Sequence, residues 1–331
     1  MLEFKSFSER IENLKSEEFE NLALDIFRFQ AKANPIYHKY IKARSIDISQ
    51  ISQLDQIPFL PIGFFKDWAV VCGVEEDFEG FYSSSGTTGM TTSKHFYWSE
   101  SWYLKHSLRV FESFYGNIED YHVLALLPAY LERPGSSLVS MAKHFIEKSK
   151  SEFSGFYLYN QDDLLATLAE LKNSSRKVLL LGVTFALLDL AESGKNFSPM
   201  DKLIVMETGG MKGRRKEMIR EEVHQILRDY FEVSVIHSEY GMTELMSQGY
   251  SMGEGKFSLP PSMRIKLRDV NDPLSWSNRS QGGINVIDLA NFHSCSFIET
   301  QDLGKLDESG MLEVLGRFDN SEIRGCNLLV Q

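Results

Sequence analysis

Two short stretches carry residue types that together could handle a nucleotide. The first is Tyr82-Ser83-Ser84-Ser85-Gly86-Thr87-Thr88-Gly89, a hydroxyl- and glycine-rich loop that follows the apolar, strand-like Phe81. Backbone N–H groups of consecutive small residues can converge on phosphate oxygens, while Ser and Thr hydroxyls add donors and can help hold magnesium. The same composition also occurs in plain solvated turns. This is not a Walker loop, because a Gly-Lys-Ser/Thr ending is missing and Lys94 lies five residues beyond Gly89. A P-loop kinase or GTPase is thereby disfavoured. The second stretch is Tyr240-Gly241-Met242-Thr243-Glu244, preceded by the apolar run 233–236. That run reads as a buried strand delivering a turn at its carboxyl end. Its ring can stack on a purine, Thr243 can bond a phosphate, and Glu244 can ligate magnesium, which prefers oxygen donors. The plainer alternative is a strand-to-helix turn capped by Thr243 or Ser238.

In order and separation the two stretches resemble those of the adenylate-forming superfamily of acyl-CoA synthetases, peptide-synthetase adenylation domains and luciferases. Phe297-Ile298-Glu299-Thr300-Gln301-Asp302-Leu303-Gly304 resembles the superfamily segment whose aspartate holds the ribose hydroxyls. Gly316-Arg317-Phe318-Asp319, followed by Arg324-Gly325, resembles the hinge segment, whose arginine approaches the nucleotide. Within the superfamily the chain is most similar to the LuxE-type acyl-protein synthetases, the fatty-acid-activating subunits of bacterial bioluminescence reductase complexes. Two features carry that likeness: Ile57-Pro58-Phe59-Leu60-Pro61-Ile62-Gly63-Phe64-Phe65-Lys66, and the ending Arg324-Gly325-Cys326-Asn327-Leu328-Leu329. The resemblance spans roughly the whole chain.

The resemblance implies ATP- and magnesium-dependent activation of a carboxylic acid, a fatty acid foremost, to an acyl adenylate, with transfer to a thiol. Ser83, Ser84, Ser85, Gly86, Thr87, Thr88 and Gly89 would then hold the departing phosphates, with Thr87 and Glu244 around magnesium. Tyr240 would stack on adenine beside Gly241, Met242 and Thr243, Asp302 would hold the ribose, and Arg317 would approach the nucleotide. Gly209 and Gly210 would border the adenine or acyl pocket, and Cys326 would accept the acyl group before a partner protein takes it. A small buried residue in the apolar tail is the alternative for Cys326, since free cysteine is commonly buried. Two other functions stay open: direct ligation to coenzyme A or a carrier protein, and a nucleotide-binding subunit without turnover. With 331 residues, no room is expected for the mobile carboxyl-terminal domain of longer ligases, and no residue maps onto that domain's catalytic lysine.

The elements that must position these residues follow from periodicity. Apolar strand-like runs at 121–127, 177–181, 203–207 and 233–236 alternate with helical stretches such as 218–231, which predicts an α/β fold with a largely parallel sheet covered by helices. A helical amino-terminal segment and a proline-punctuated connection occupy 1–75, a nucleotide-binding body 76–255, and a smaller β-rich subdomain 256–331, all within one adenylate-forming domain. One amphipathic helix is expected from the amino terminus to about Phe29. His237 and His293 lie near the motifs but are expected to be structural hydrogen-bonding partners.

Composition bounds the rest. A formal net charge of −11 argues against nonspecific nucleic-acid binding, which draws on surplus Lys and Arg. Lys212-Gly213-Arg214-Arg215-Lys216 is a basic exception that reads as a solvated helix face. Cys72, Cys295 and Cys326 are odd in number and widely spaced, which disfavours a disulfide framework. The start has no secretion-signal pattern and the apolar stretch 178–191 is too short to span a bilayer, so a cytoplasmic enzyme is expected.

Overall fold

Three apolar runs become the parallel core of a large sheet. The structure, a computed structural model, describes residues 2–84, 92–128, 135–157, 160–209, 218–277 and 279–318. In chain order its strands are β1 (Leu60–Pro61), β2 (Gly80–Ser83), β3 (Lys94–Tyr97), β4 (Tyr121–Leu126), β5 (Gly155–Tyr157), β6 (Lys177–Val183) and β7 (Leu203–Thr208). There follow β8 (His237–Tyr240), β9 (Gly249–Ser251), β10 (Lys256–Ser258), β11 (Met263–Arg268), β12 (Gln281–Asp288), β13 (Phe297–Leu306) and β14 (Leu312–Arg317). Among the described residues the main sheet runs β11-β12-β13-β14-β10-β9-β8-β7-β6-β4-β5, and β2 pairs only with β3.

Strands β5, β4, β6, β7 and β8 are parallel, and from β8 through β9 to β11 the neighbours are antiparallel. Strand β4 is buried along its whole length and β6 from Val178 to Val183, as expected of strands covered on both faces. Helices Glu100–Tyr115, Ser137–Ser149, Thr184–Ala191 and Arg220–Phe231 pack on this half. The carboxyl-terminal segment continues the same sheet. Strand β1 adds a further parallel pairing, with Leu60 opposite Ile298 and Pro61 opposite Glu299, so the proline-rich connection is stitched onto β13.

Two expectations need correction. The amino-terminal helix is broken into Leu2–Glu12 and Phe19–Ala33. Asn13 donates its amide to the Glu9 carbonyl at 3.1 Å, a local bond that competes with helix continuation, and Glu18 accepts from the Lys15 N–H at the restart. A third helix, Pro35–Ala43, begins where the Asn34 Oδ1 accepts from the N–H groups of Ile36 and Tyr37, both at 3.0 Å.

The second correction concerns the strand before the second motif. It is His237–Tyr240, not the apolar run 233–236, in which Val235 is exposed. Its buried side chains are polar and find partners: Ser238 on His224, Glu239 on Thr208 and Tyr240 on Asp302. Hydropathy therefore points to the wrong four residues. No helix follows either, since the chain turns through 241–248 into the antiparallel β9.

Candidate functional site

The site forms where the parallel half of the sheet meets the antiparallel half. Tyr240, the last residue of β8, is buried, its ring 5.8 Å from that of Phe257 on β10. Its hydroxyl donates to Asp302 Oδ2 at 3.0 Å, and Arg317 Nε meets the other oxygen, Oδ1, at 3.2 Å. The β13–β14 register places Asp302 opposite Arg317. Burial, reinforced by the Asp302 charge, pushes the Tyr240 hydroxyl well above its usual range, so it stays a neutral donor. The Asp302 carboxylate is buried beneath the exposed Arg317 guanidinium.

Nearby, Arg268 is buried across the strands, donating to the carbonyls of Ile284 (3.0 Å) and Thr300 (2.6 Å) and to Asn285 Oδ1 (2.9 Å). Its guanidinium also lies 5.3 Å from the Phe318 ring centre. This clamp fixes β13 one turn of the pleat from Asp302.

Glu244 lies in the turn after Tyr240, buried, with its side chain hydrogen-bonded to Ser93. Burial raises its carboxyl, while the Ser93 hydroxyl and the Arg317 charge work in the opposite direction. Ser93 closes the neck of the first motif: its N–H donates to Ser84 Oγ at 2.9 Å, and the Ser84 N–H donates to the Ser93 carbonyl at 3.1 Å. The Ser83 N–H bonds the Gly135 carbonyl at 2.7 Å. Two residues along β3 on the same face, His95 Nδ1 meets the Thr243 carbonyl at 2.8 Å. The neck of one motif thus grips the turn of the other.

Gly241 serves close approach, because a Cβ there would sit 2.3 Å from Glu239 Oε1. That carboxylate is held by the Thr208 hydroxyl at the end of β7. Gly209, which follows, adopts φ +80°, a left-handed conformation suited to glycine. Met242 packs at the edge of the core and Thr243 is half-buried. Ser85, Gly86, Thr87, Thr88, Gly89, Gly210 and Cys326 lie outside the described residues.

Several tempting groups are structural. Ser247 Oγ donates to Asp288 Oδ1 at 2.7 Å and lies 2.9 Å from His106 Nε2. These are the residue types of a hydrolase triad with the wrong connectivity, since Asp288 takes the serine and the N–H groups of Met246 and Ser247 instead of the imidazole. All three side chains are buried, and burial drives the His106 imidazole down to about 3. His237 bonds the Tyr115 hydroxyl at 3.1 Å, and His293 is buried in a stack with His95. Burial pushes the Cys72 and Cys295 thiols up, Cys295 to about 12, which removes them as nucleophiles.

Sequence reasoning missed Ser93, His95, Asp288 and Asn291. No periodicity marks Ser93 and His95, and Asp288 and Asn291 serve groups far away in the chain.

No family model matches the chain. In sequence it is similar to the long-chain-fatty-acid–luciferin-component ligase of Aliivibrio fischeri, 20% identical over 338 aligned positions that cover 93% of this chain and 86% of that protein. The protein of the same name from Vibrio harveyi is 20% identical over 297 positions, covering 84% of this chain and 78% of that one. Among solved structures, a 2-hydroxyisobutyryl-CoA ligase in complex with 2-HIB-AMP and CoA superposes with a TM-score of 0.67 at 14% identity, covering 94% of this chain and 71% of that one. ATP-bound MatB from Rhodopseudomonas palustris gives a TM-score of 0.53 at 18% identity, covering 76% of this chain. The match spans 50% of MatB's length. The sequence relatives are LuxE ligases, as the motifs implied, and the fold is that of the adenylate-forming enzymes.

Proposed function

We propose that this chain activates a carboxylic acid with ATP, forming an acyl adenylate and pyrophosphate, and passes the acyl group to a thiol. One observation supports the proposal: the segment that closes the Ser84–Ser93 neck bonds the Thr243–Glu244 turn, which follows Tyr240, and Tyr240 in turn bonds Asp302 beneath Arg317. Tyr240 would offer its ring to adenine, and Asp302, already shaped to accept hydroxyl hydrogen bonds, would take the ribose. Loop residues 83–89 would hold the departing phosphates, and Arg317 would stand over the nucleotide. The acid's carboxylate attacks the α-phosphorus and the bond to pyrophosphate breaks. Catalysis then rests on positioning and charge complementarity.

Glu244, with Thr87, would hold a magnesium ion. A single buried carboxylate suits an ion that takes one or two carboxylates and completes its shell with phosphate oxygens and water. When bound, the ion neutralises charge on the polyphosphate. In the second step we assign Cys326 as the thiol that attacks the acyl carbonyl and releases AMP, leaving a thioester for a partner protein. The names of the sequence relatives favour a long-chain fatty acid as the substrate.

Carboxylate-dependent ATP–pyrophosphate exchange with magnesium, across fatty, aromatic and amino acids, tests the first step. Exchange confined to fatty acids is expected, and Glu244→Ala should lower it about 100-fold. Absence of exchange with every acid, in protein that binds ATP, refutes the proposal. Cys326→Ser should preserve exchange and abolish hydroxylamine-sensitive labelling of the chain; undiminished labelling removes that cysteine from the pathway.

A further inference from the structure

The Thr243–Glu244 turn belongs to no helix or strand, yet its polar backbone groups are captured one by one by side chains from distant segments. His95 takes the Thr243 carbonyl at 2.8 Å, and Asn291 Nδ2 donates to the Glu244 carbonyl at 2.8 Å. Asp288 Oδ2 accepts from the N–H groups of Met246 at 2.8 Å and Ser247 at 2.9 Å. Since the partner of His95 Nδ1 is a carbonyl, that nitrogen carries the proton. Asn291 is itself immobilised: it is fully buried, and its own carbonyl accepts from Gln30 Nε2 at 2.8 Å. Gln30 also reaches the Phe292 carbonyl at 3.0 Å, and Asn34 Nδ2 donates to the Ser294 carbonyl at 3.0 Å. Segment 288–296 is therefore a buried polar strut between the amino-terminal helices and the turn that carries Glu244.

We propose that Asn291 and His95 are positioning residues for acid adenylation, clamping two successive carbonyls so that the Glu244 side chain is held at one fixed direction beside Ser93. This rests on the adenylation assignment and on the role given to Glu244. A buried backbone carbonyl left without its donor is costly, so loss of either clamp favours a rotated turn. Small displacements of a group that must meet a phosphate carry large rate penalties. Neither side chain touches the reacting atoms; both act through Glu244.

A matched pair of substitutions separates positioning from general stability. Asn291→Asp removes the donor to Glu244. Asn34→Asp removes an equivalent donor to the same strut while its remaining oxygen still caps the helix at Ile36 and Tyr37. Both variants lose one buried amide bond and should show similar losses of thermal stability. Amide hydrogen exchange in the peptide containing residues 243–248 should accelerate about tenfold in Asn291→Asp and stay at the wild-type rate in Asn34→Asp. The kcat of pyrophosphate exchange should fall about tenfold or more in Asn291→Asp, with the KM values for ATP and acid within about threefold of wild type, while Asn34→Asp keeps its kcat. For the second clamp, His95→Asn retains a donor near the Nδ1 position and should keep more kcat than His95→Leu.

Equal losses of kcat in the two Asn variants, an unchanged amide exchange rate in the turn, or indistinguishable His95 variants would each overturn the positioning role. A wild-type protein that exchanges no pyrophosphate would overturn the functional proposal instead. The two failures are told apart because amide exchange in the turn is read without turnover.

Discussion

In the parallel half of the sheet, β6 buries residues 178–183 without a charged or hydroxyl side chain, whereas β12 and β13 bury Asn285, Asp288, Thr300 and Asp302 among their aliphatics. The first region resists unfolding by excluding water and filling space. The second relies on partnered polar groups: Arg268 serves Asn285 and the Ile284 and Thr300 carbonyls, Asp288 serves Met246 and Ser247, and Asp302 serves Tyr240. Such a network is costly when half-satisfied and specific when complete. Tyr240 stands on the last parallel strand and reaches across to Asp302 on the antiparallel side, so the candidate site draws rigidity from one half and chemistry from the other.

The sharpest way to break this contrast is to hollow out the apolar half. Leu180→Ala, at a fully buried position of β6, should cost about 2–5 kcal/mol of stability. Urea unfolding should register that loss while the folded fraction keeps its ATP affinity. A comparable fall in affinity would mean the two halves are not separable in function.

Next in size is an acid-side effect of the polar half. Burial holds the His95 imidazole down to about 4 and that of His106 to about 3, against 6.5 in an unconstrained chain. Below pH 6.5 the unfolded chain binds protons that the folded one refuses. Their stabilising contribution is therefore fully present above that pH and is lost as pH falls towards the folded values. Each should withdraw about 2 kcal/mol by about pH 5. In His106→Gln the difference between urea midpoints at about pH 7 and about pH 5 should shrink accordingly, and an unaltered difference would remove His106 as a contributor.

The smallest expected effect sharpens the meeting point itself. Tyr240→Phe deletes one hydrogen bond to Asp302, which keeps Arg317. ATP affinity measured by calorimetry should weaken by about 1 kcal/mol, roughly fivefold, with a loss of stability of similar size because Asp302 Oδ2 is left without its donor. Affinity equal to wild type would detach the tyrosine–aspartate bond from nucleotide binding.

The same contrast explains what was legible in the sequence. Strands β4, β6 and β7 announce themselves as apolar runs because both faces are covered, and Tyr240, Glu244, Asp302 and Arg317 stand out because their residue types recur in a recognisable order. Strand β8 did not, because its inward residues Ser238 and Glu239 are polar and find partners such as His224 and Thr208 on other elements. Asp288 and Asn291 were invisible for the same reason. Asp288 reads locally as no more than a cap, since its Oδ1 accepts from the Ala290 N–H at 3.1 Å, while Met246, Ser247 and Glu244, which Asp288 and Asn291 also serve, lie more than 40 residues away. The break after Glu12 turned on one Asn13 side chain, which periodicity does not weigh.

The strut joining Gln30 to Ser296 spans 266 residues of chain, and Leu60 likewise waits for Ile298. At ribosomal rates of about 5–20 residues per second, roughly 10–50 s separate the synthesis of Gln30 from that of its partners. During that interval the bonds that Gln30 and Asn34 make to segment 291–296 cannot form. Folding of the nascent chain is therefore ordered in time, with the parallel strands free to form early and the Glu244 turn among the last parts to set.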